Sequence, residues 1–179
     1  GIYKQCQNPW LKMYKHSFIY TIVEDHIDID TTTKKLIKDI KLTKDIIRPE
    51  MNLTSFYQNN DDLNNLIINK LGVIFKKLNL VLSHCWIQKY LKNSYHSVHT
   101  HNPKGKSFVW FIEGNKDSSP LCFYDVGYPS VDINENITCE FVPGKLIIFP
   151  GFIPHEVRPN KNNNRLIVSG NLNELQSNR

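Results

Sequence analysis

Three histidines set the first question this sequence raises. His99-Thr-His101 places two imidazoles at i and i+2, and on an extended segment such residues project from one face. His155 follows the apolar run Lys145-Leu-Ile-Ile-Phe-Pro150 and a Pro-Gly turn, so a third imidazole can arrive from a neighbouring strand. Two donors from one strand and one from another suit iron or a similar divalent metal bound on one side, with open positions opposite. An isolated His-x-His is weak evidence, and its weight comes from its surroundings.

The tail supplies those surroundings. In Arg165-Leu-Ile-Val-Ser-Gly-Asn171, period two puts Arg165, Ile167, Ser169 and Asn171 on one face and Leu166, Val168 and Gly170 on the other. Such a face belongs either to an outer strand in water or to a built polar site. A buried Arg is costly unless paired, and its planar fork matches a carboxylate. Ten positions after a metal-ligating His, this arrangement reads as an anchor for a dicarboxylate co-substrate.

The elements that must position these residues fall into two textures. Residues 16–23 are rich in β-branched and aromatic side chains and read as a strand. Asp30 or Thr31 then caps a short helix over about 31–42, and the Asn60-Asp61-Asp62 cluster opens a longer one over about 61–78 with Leu63, Leu66, Ile67, Leu71, Ile74 and Phe75 on one stripe. From residue 80 the apolar runs shorten to strand length: 80–91, 107–112, 121–125, 137–142, 145–149 and 165–172, separated by Gly, Pro and Asn turns. Strands at that spacing argue for an antiparallel sandwich or barrel. The division expected is one domain over 1–179: N-terminal strand and buttressing helices to 79, a β core over 80–172, and a tail over 173–179.

Composition narrows the setting. The chain has 179 residues, 40% apolar and 22% charged, enough to bury a core without staples. No apolar run approaches the ~20 residues that span a bilayer, and Gly1-Ile2-Tyr3-Lys4 lacks signal-peptide character. Cys6, Cys85, Cys122 and Cys139 show no metal or disulfide spacing, so a reduced cytoplasmic protein is expected. The net charge of +5 is scattered and interleaved with Asp, which suits a solvated helix face better than a nucleic-acid groove.

Taken together, His99-x-His101-Asn-Pro, Ser107-Phe-Val-Trp-Phe-Ile112, Gly144-Lys-Leu-Ile-Ile-Phe-Pro-Gly-Phe-Ile-Pro-His155 and Arg165-x-x-x-Ser169-Gly-Asn171 resemble the iron(II)/2-oxoglutarate-dependent oxygenases, most closely the small bacterial and phage group. The resemblance runs from Trp86 to Asn171. It implies a mainly β fold with flanking helices, a double-stranded β-helix (jelly roll, cupin-like barrel). It also implies Fe(II) with 2-oxoglutarate as co-substrate, dioxygen, and an organic substrate that is hydroxylated as 2-oxoglutarate is decarboxylated to succinate. His99 and His155 match the family's metal histidines, and Arg165 matches the residue that pairs with the far carboxylate, with Ser169 as helper. Tyr90 could hydrogen-bond the 2-oxo acid, and Asn171 either orients a ligand or ends the strand. At His101 the superfamily usually has a carboxylate. The third ligand is therefore His101, or Asp125 as the acid on a nearby strand. His96 is expected at the rim and His84 in the core or at an edge.

Two other readings compete. A cupin-like three-histidine dioxygenase would leave Arg165 without a task and lacks a Glu soon after His101; a non-catalytic jelly-roll module would hold no iron. Within the favoured reading, peptidyl and small-metabolite substrates are both compatible. Nucleic-acid demethylation fits poorly, since no second arginine or aromatic-studded basic groove accompanies Arg165.

Overall fold

The two helices form where their caps and apolar spacing direct. In the computed structural model, which describes residues 14, 19–102, 104–127 and 137–176, α1 runs Thr31–Asp39 and the Asp30 side chain accepts from the Thr33 amide at 2.7 Å. Helix α2 runs Asp61–Lys77, and Asn60 accepts from the Leu63 amide. Asp61 and Asp62 in its first turn and Lys76 and Lys77 in its last complement the helix dipole. Leu63, Ile67, Leu71 and Phe75 recur every four residues and are all buried; truncating any of them to Ala costs about 2–5 kcal/mol.

Eleven strands are described: β1 (Val23–His26), β2 (Thr43–Lys44), β3 (Leu53–Thr54), β4 (Leu80–Tyr90), β5 (His96–His99), β6 (Lys106–Gly114), β7 (Leu121–Phe123), β8 (Ile137–Cys139), β9 (Lys145–Pro150), β10 (His155–Val157) and β11 (Arg165–Glu174). They form a seven-stranded sheet ordered β1-β9-β6-β11-β4-β3-β2 and a four-stranded sheet ordered β5-β10-β7-β8, with every pairing antiparallel. The two face each other as a double-stranded β-helix.

The large sheet is buried on both faces. One face packs Ile87, Phe108, Trp110, Ile148 and Val168 against α2. The other packs Tyr90, Val109, Phe111, Ile147, Phe149 and Ile167 against Phe123 and Val157 of the small sheet. Burial on both sides explains why these strands read as nearly continuous apolar runs. Gly170 lies mid-strand in β11, between β4 and β6; a Cβ there would press on the Phe108 ring and approach the His84 carbonyl oxygen to 2.6 Å.

Some boundaries differ from the sequence expectation. Of the strand expected over 16–23, residues 16–18 lie outside the described residues and 19–22 are not strand; β1 begins at Val23. Pairing with β9 decides this, and Glu24, Asp25 and His26 make β1 a polar, exposed edge. The first 79 residues thus add three strands to the large sheet, not helices and one strand alone. Helix α1 stops at Asp39, because Ile40 is extended. Strand β7 ends at Phe123 and leaves Asp125 beyond it. No helix among the described residues is long and apolar enough to cross a membrane.

Candidate functional site

Two short strands of the small sheet bring the histidines together. β10 lies antiparallel to β5 with His155 directly opposite His99, their ring centroids 4.1 Å apart. His101 follows β5, and its backbone amide donates to the Gly151 carbonyl at 2.6 Å, which folds the segment back over β10. Its ring stacks on His155 at 5.0 Å and 13°, with the two Nε2 atoms 3.2 Å apart. One nitrogen from each of the three lies within 4.8 Å of the others.

Hydrogen bonds to carbonyl oxygens set the tautomers of two of them. His99 Nδ1 lies 2.7 Å from the Ser97 carbonyl and His155 Nδ1 2.8 Å from that of Ile153. A carbonyl only accepts, so each Nδ1 carries the proton and each Nε2 keeps its lone pair for a ligand. Burial, reinforced by neighbouring charges, pulls all three rings down: His99 to about 3, His101 to about 4, and His155 well below the ordinary range. At neutral pH the cluster is therefore three neutral donors, a set that fits a divalent cation and leaves coordination positions open.

Arg165 sits deeper, on β11 opposite Tyr90 of β4 and Gly114 of β6. It is 1% exposed. Its Nε donates to the Ser119 carbonyl at 2.7 Å, and its guanidinium lies 4.5 Å from the centroid of the Tyr90 ring. The Tyr90 side chain interacts with the guanidinium, yet neither terminal nitrogen makes a well-formed hydrogen bond and no carboxylate faces them among the described residues. Burial lowers its pKa to about 10, which still leaves it charged at neutral pH. The outer-strand alternative for this face is thereby excluded: Arg165, Ile167 and Ser169 line an interior cavity, while Leu166 and Val168 join the helix-facing core.

Tyr90, Gln88, Trp86, His96, His99, His101 and His155 share the wall of that cavity, which is narrow, with a volume of about 40 Å³. Tyr90 is buried, and desolvation raises its phenol pKa. Ser169 Oγ donates to the Phe108 carbonyl at 3.2 Å. Asn171 stands apart from this inner cavity, accepts from Ser107 Oγ at 3.3 Å, and lines an outer mouth of about 150 Å³ with Asp45, Arg48, Phe56 and Thr100. His96, expected at the rim, stands between mouth and cavity, its ring stacked on His99 at 3.5 Å. His84 is half-buried, with Nε2 3.3 Å from the Phe56 carbonyl. Asp125 is exposed and lies outside the three-histidine cluster.

Sequence reasoning missed Gln88, Trp86, Met51 and Arg48. Gln88 and Trp86 share the alternation of Tyr90 on β4, and a buried glutamine in an apolar strand was a usable signal. Met51 and Arg48 come from the irregular stretch around a 3₁₀ turn, Pro49–Met51, which carries none.

No protein-family model matches the chain, and no curated protein matches its sequence. Solved structures do match. A prolyl-4-hydroxylase from Pseudomonas putida superposes with a TM-score of 0.59 at 15% identity, covering 87% of this chain and 93% of that one. The viral collagen prolyl hydroxylase of Paramecium Bursaria Chlorella virus-1, in complex with 2-oxoglutarate, gives 0.60 at 10% identity over 87% and 96%. HygX from Streptomyces hygroscopicus, with nickel, 2-oxoglutarate and hygromycin B bound, gives 0.64 at 7% identity over 86% and 82%. The fold is that of the 2-oxoglutarate/iron(II) oxygenase structures.

Proposed function

We propose that this chain is an iron(II)- and 2-oxoglutarate-dependent dioxygenase that hydroxylates a peptidyl residue or small metabolite while 2-oxoglutarate is converted to succinate. One observation carries the reading: a fully buried arginine with both terminal nitrogens unpartnered, in the wall of a cavity that also holds three converging neutral histidines. A buried cation without a counter-ion is costly, and a carboxylate is the bidentate partner its geometry fits.

His99, His101 and His155 would hold the metal, which supplies the oxidative chemistry when bound with 2-oxoglutarate and dioxygen. The chain's own residues orient and enclose. Arg165 receives the far carboxylate, and Tyr90 holds the guanidinium from its face. Ser169 assists once its hydroxyl turns from the Phe108 carbonyl. Asn171, at the mouth, serves the substrate side rather than the co-substrate. Burial of the surrounding wall excludes water from the reacting centre. The buried thiols Cys85 and Cys139 suit a reducing, intracellular setting.

The all-histidine cluster favours a second reading, a cupin-like dioxygenase that uses no 2-oxoglutarate, but that reading leaves Arg165 unpaired. The test is succinate release from 2-oxoglutarate with iron(II) and ascorbate. Turnover in the wild type and its loss in His155→Ala are expected; wild-type succinate levels in His155→Ala would overturn the site. Elemental analysis of the purified protein separates both readings from a binding module, which would carry no iron.

A further inference from the structure

Among the described residues, four buried side-chain polar atoms lack a hydrogen-bond partner: Gln88 Oε1, His96 Nε2 and the two terminal nitrogens of Arg165. All three residues line the same cavity. Native interiors leave few such atoms, and their concentration in one cavity wall describes the ligands it is built to receive. A carboxylate answers Arg165. Gln88 requires something different.

Gln88 is 1% exposed and lies on β4 opposite Ile167 of β11 and Thr54 of β3. Its amide orientation is fixed by chemistry: the Met51 carbonyl, 2.7 Å away, can only accept, so Nε2 must face it. Oε1 remains as a free acceptor on a cavity-lining side chain. 2-Oxoglutarate, with two carboxylates and a ketone, consists of acceptors alone and cannot fill that position. Gln88 and His96 also line the outer mouth, so both stand where a ligand entering from outside meets the cavity. An imidazole nitrogen lining the same spaces as that acceptor suits a ligand that both donates and accepts. Phe56 and Trp86, in edge-to-face contact at 4.9 Å, give the mouth an apolar wall for the rest of such a molecule.

We infer that Gln88 is a substrate-binding residue and that the primary substrate is a neutral amide or alcohol presenting an N–H or O–H to its Oε1. The inference rests on the oxygenase reading, because it assigns to the substrate the one polar atom that the co-substrate cannot match. A carboxylate substrate would set acceptor against acceptor, and an apolar one would leave Gln88 unpaired.

The test uses nickel(II)-loaded protein with 2-oxoglutarate and two probes of nearly equal shape, N-methylacetamide and N,N-dimethylacetamide, titrated by NMR. N-methylacetamide has the donor and is expected to bind about tenfold or more tightly, the cost of leaving a buried acceptor unsatisfied. In Gln88→Leu the ratio falls to near one while the melting shift with 2-oxoglutarate is retained; Gln88→Met repeats the measurement should the Leu variant not fold. Equal affinities in the wild type, absence of saturable binding by either amide, or a preference that survives both substitutions overturns the assignment. A water resident at Gln88 would give the equal-affinity result. If 2-oxoglutarate gives no melting shift while the amide preference stands, the oxygenase reading fails and Gln88 keeps its role.

Discussion

Replacing Arg165 by Met should cost co-substrate binding far more than it costs ligand-free stability. Without ligand, wild-type Arg165 is a buried cation with two terminal nitrogens unpartnered. Exchanging buried ionic groups for apolar ones of similar volume is neutral or stabilising by about 1–4 kcal/mol. Against this stand the lost charge-assisted bond to the Ser119 carbonyl, about 1.5–3 kcal/mol, and the contact with the Tyr90 ring, up to about 2 kcal/mol. Gain and loss are of similar size, so ligand-free Arg165→Met should melt close to the wild type. With 2-oxoglutarate at ~100 times its Kd, the wild type gains about 2.7 kcal/mol, or about 5–11 °C for a chain of this length. Removing one partner of a buried, hydrogen-bonded charge pair costs about 2–5 kcal/mol, a Kd raised ~30-fold or more. At the same ligand concentration the variant keeps less than about 1 kcal/mol of stabilisation. The assay is thermal melting of nickel(II)-loaded protein with and without 2-oxoglutarate. A variant that retains the full ligand shift, or that loses several kcal/mol without ligand, would show Arg165 to be a structural residue and refute the reasoning.

Other expectations are more local. His99→Ala and His155→Ala should each bring metal content well below one ion per chain by elemental analysis, whereas His101→Asp, which adds a negative ligand, should tighten metal binding in a competition titration. The amino group of Lys70 and the Thr33 amide hold Asp30 down from the ordinary 3.8 to about 2. Its depressed pKa means that its contribution is present above pH 3.8 and lost as pH falls toward 2, so Asp30→Asn should flatten acid melting curves in that window, and an NMR titration should place its midpoint near 2. Burial pushes the Cys85 thiol to about 12 and Cys139 to about 11, so a thiol reagent at pH 8 should reach neither until the protein unfolds. Gly170→Ala should lower stability by about 1–3 kcal/mol in denaturant melts, because the added methyl meets Phe108 and the His84 carbonyl.

What the sequence showed and what it hid follow from length scale. Helix α2 was legible because its cap, its charge bias and a four-residue apolar repeat act locally. The polar face of β11 was legible because that strand is central and two-sided, so alternation separates the cavity from the helix-facing core. Strands β5 and β10 are missing from the apolar runs of the sequence: four and three residues long and polar in part, they exist through pairing with each other. That pairing sets His155 across from His99, and no local pattern encodes a register between segments so far apart. Over 19–22 the expected first strand is absent for the same reason, since contact with β9 fixes where β1 begins more than β-propensity does.

The ligand-free site is short of negative charge. The three converging donors are neutral, Asp125 is outside the cluster, and Arg165 is buried without a carboxylate among the described residues. Asp45, at the mouth, already accepts from the Ile47 and Arg48 amides and the Tyr57 hydroxyl. A site with two histidines and a carboxylate would offset part of a divalent metal's charge itself. Here a metal and Arg165 would depend on the same small dianion. On the proposed function, each of the two ligands lowers the cost of binding the other, and by linkage the effect is equal in both directions. Arg165 and the histidines stand on opposite walls of one cavity, so this reciprocity requires no conformational change in the sheets and follows from electrostatics at short range.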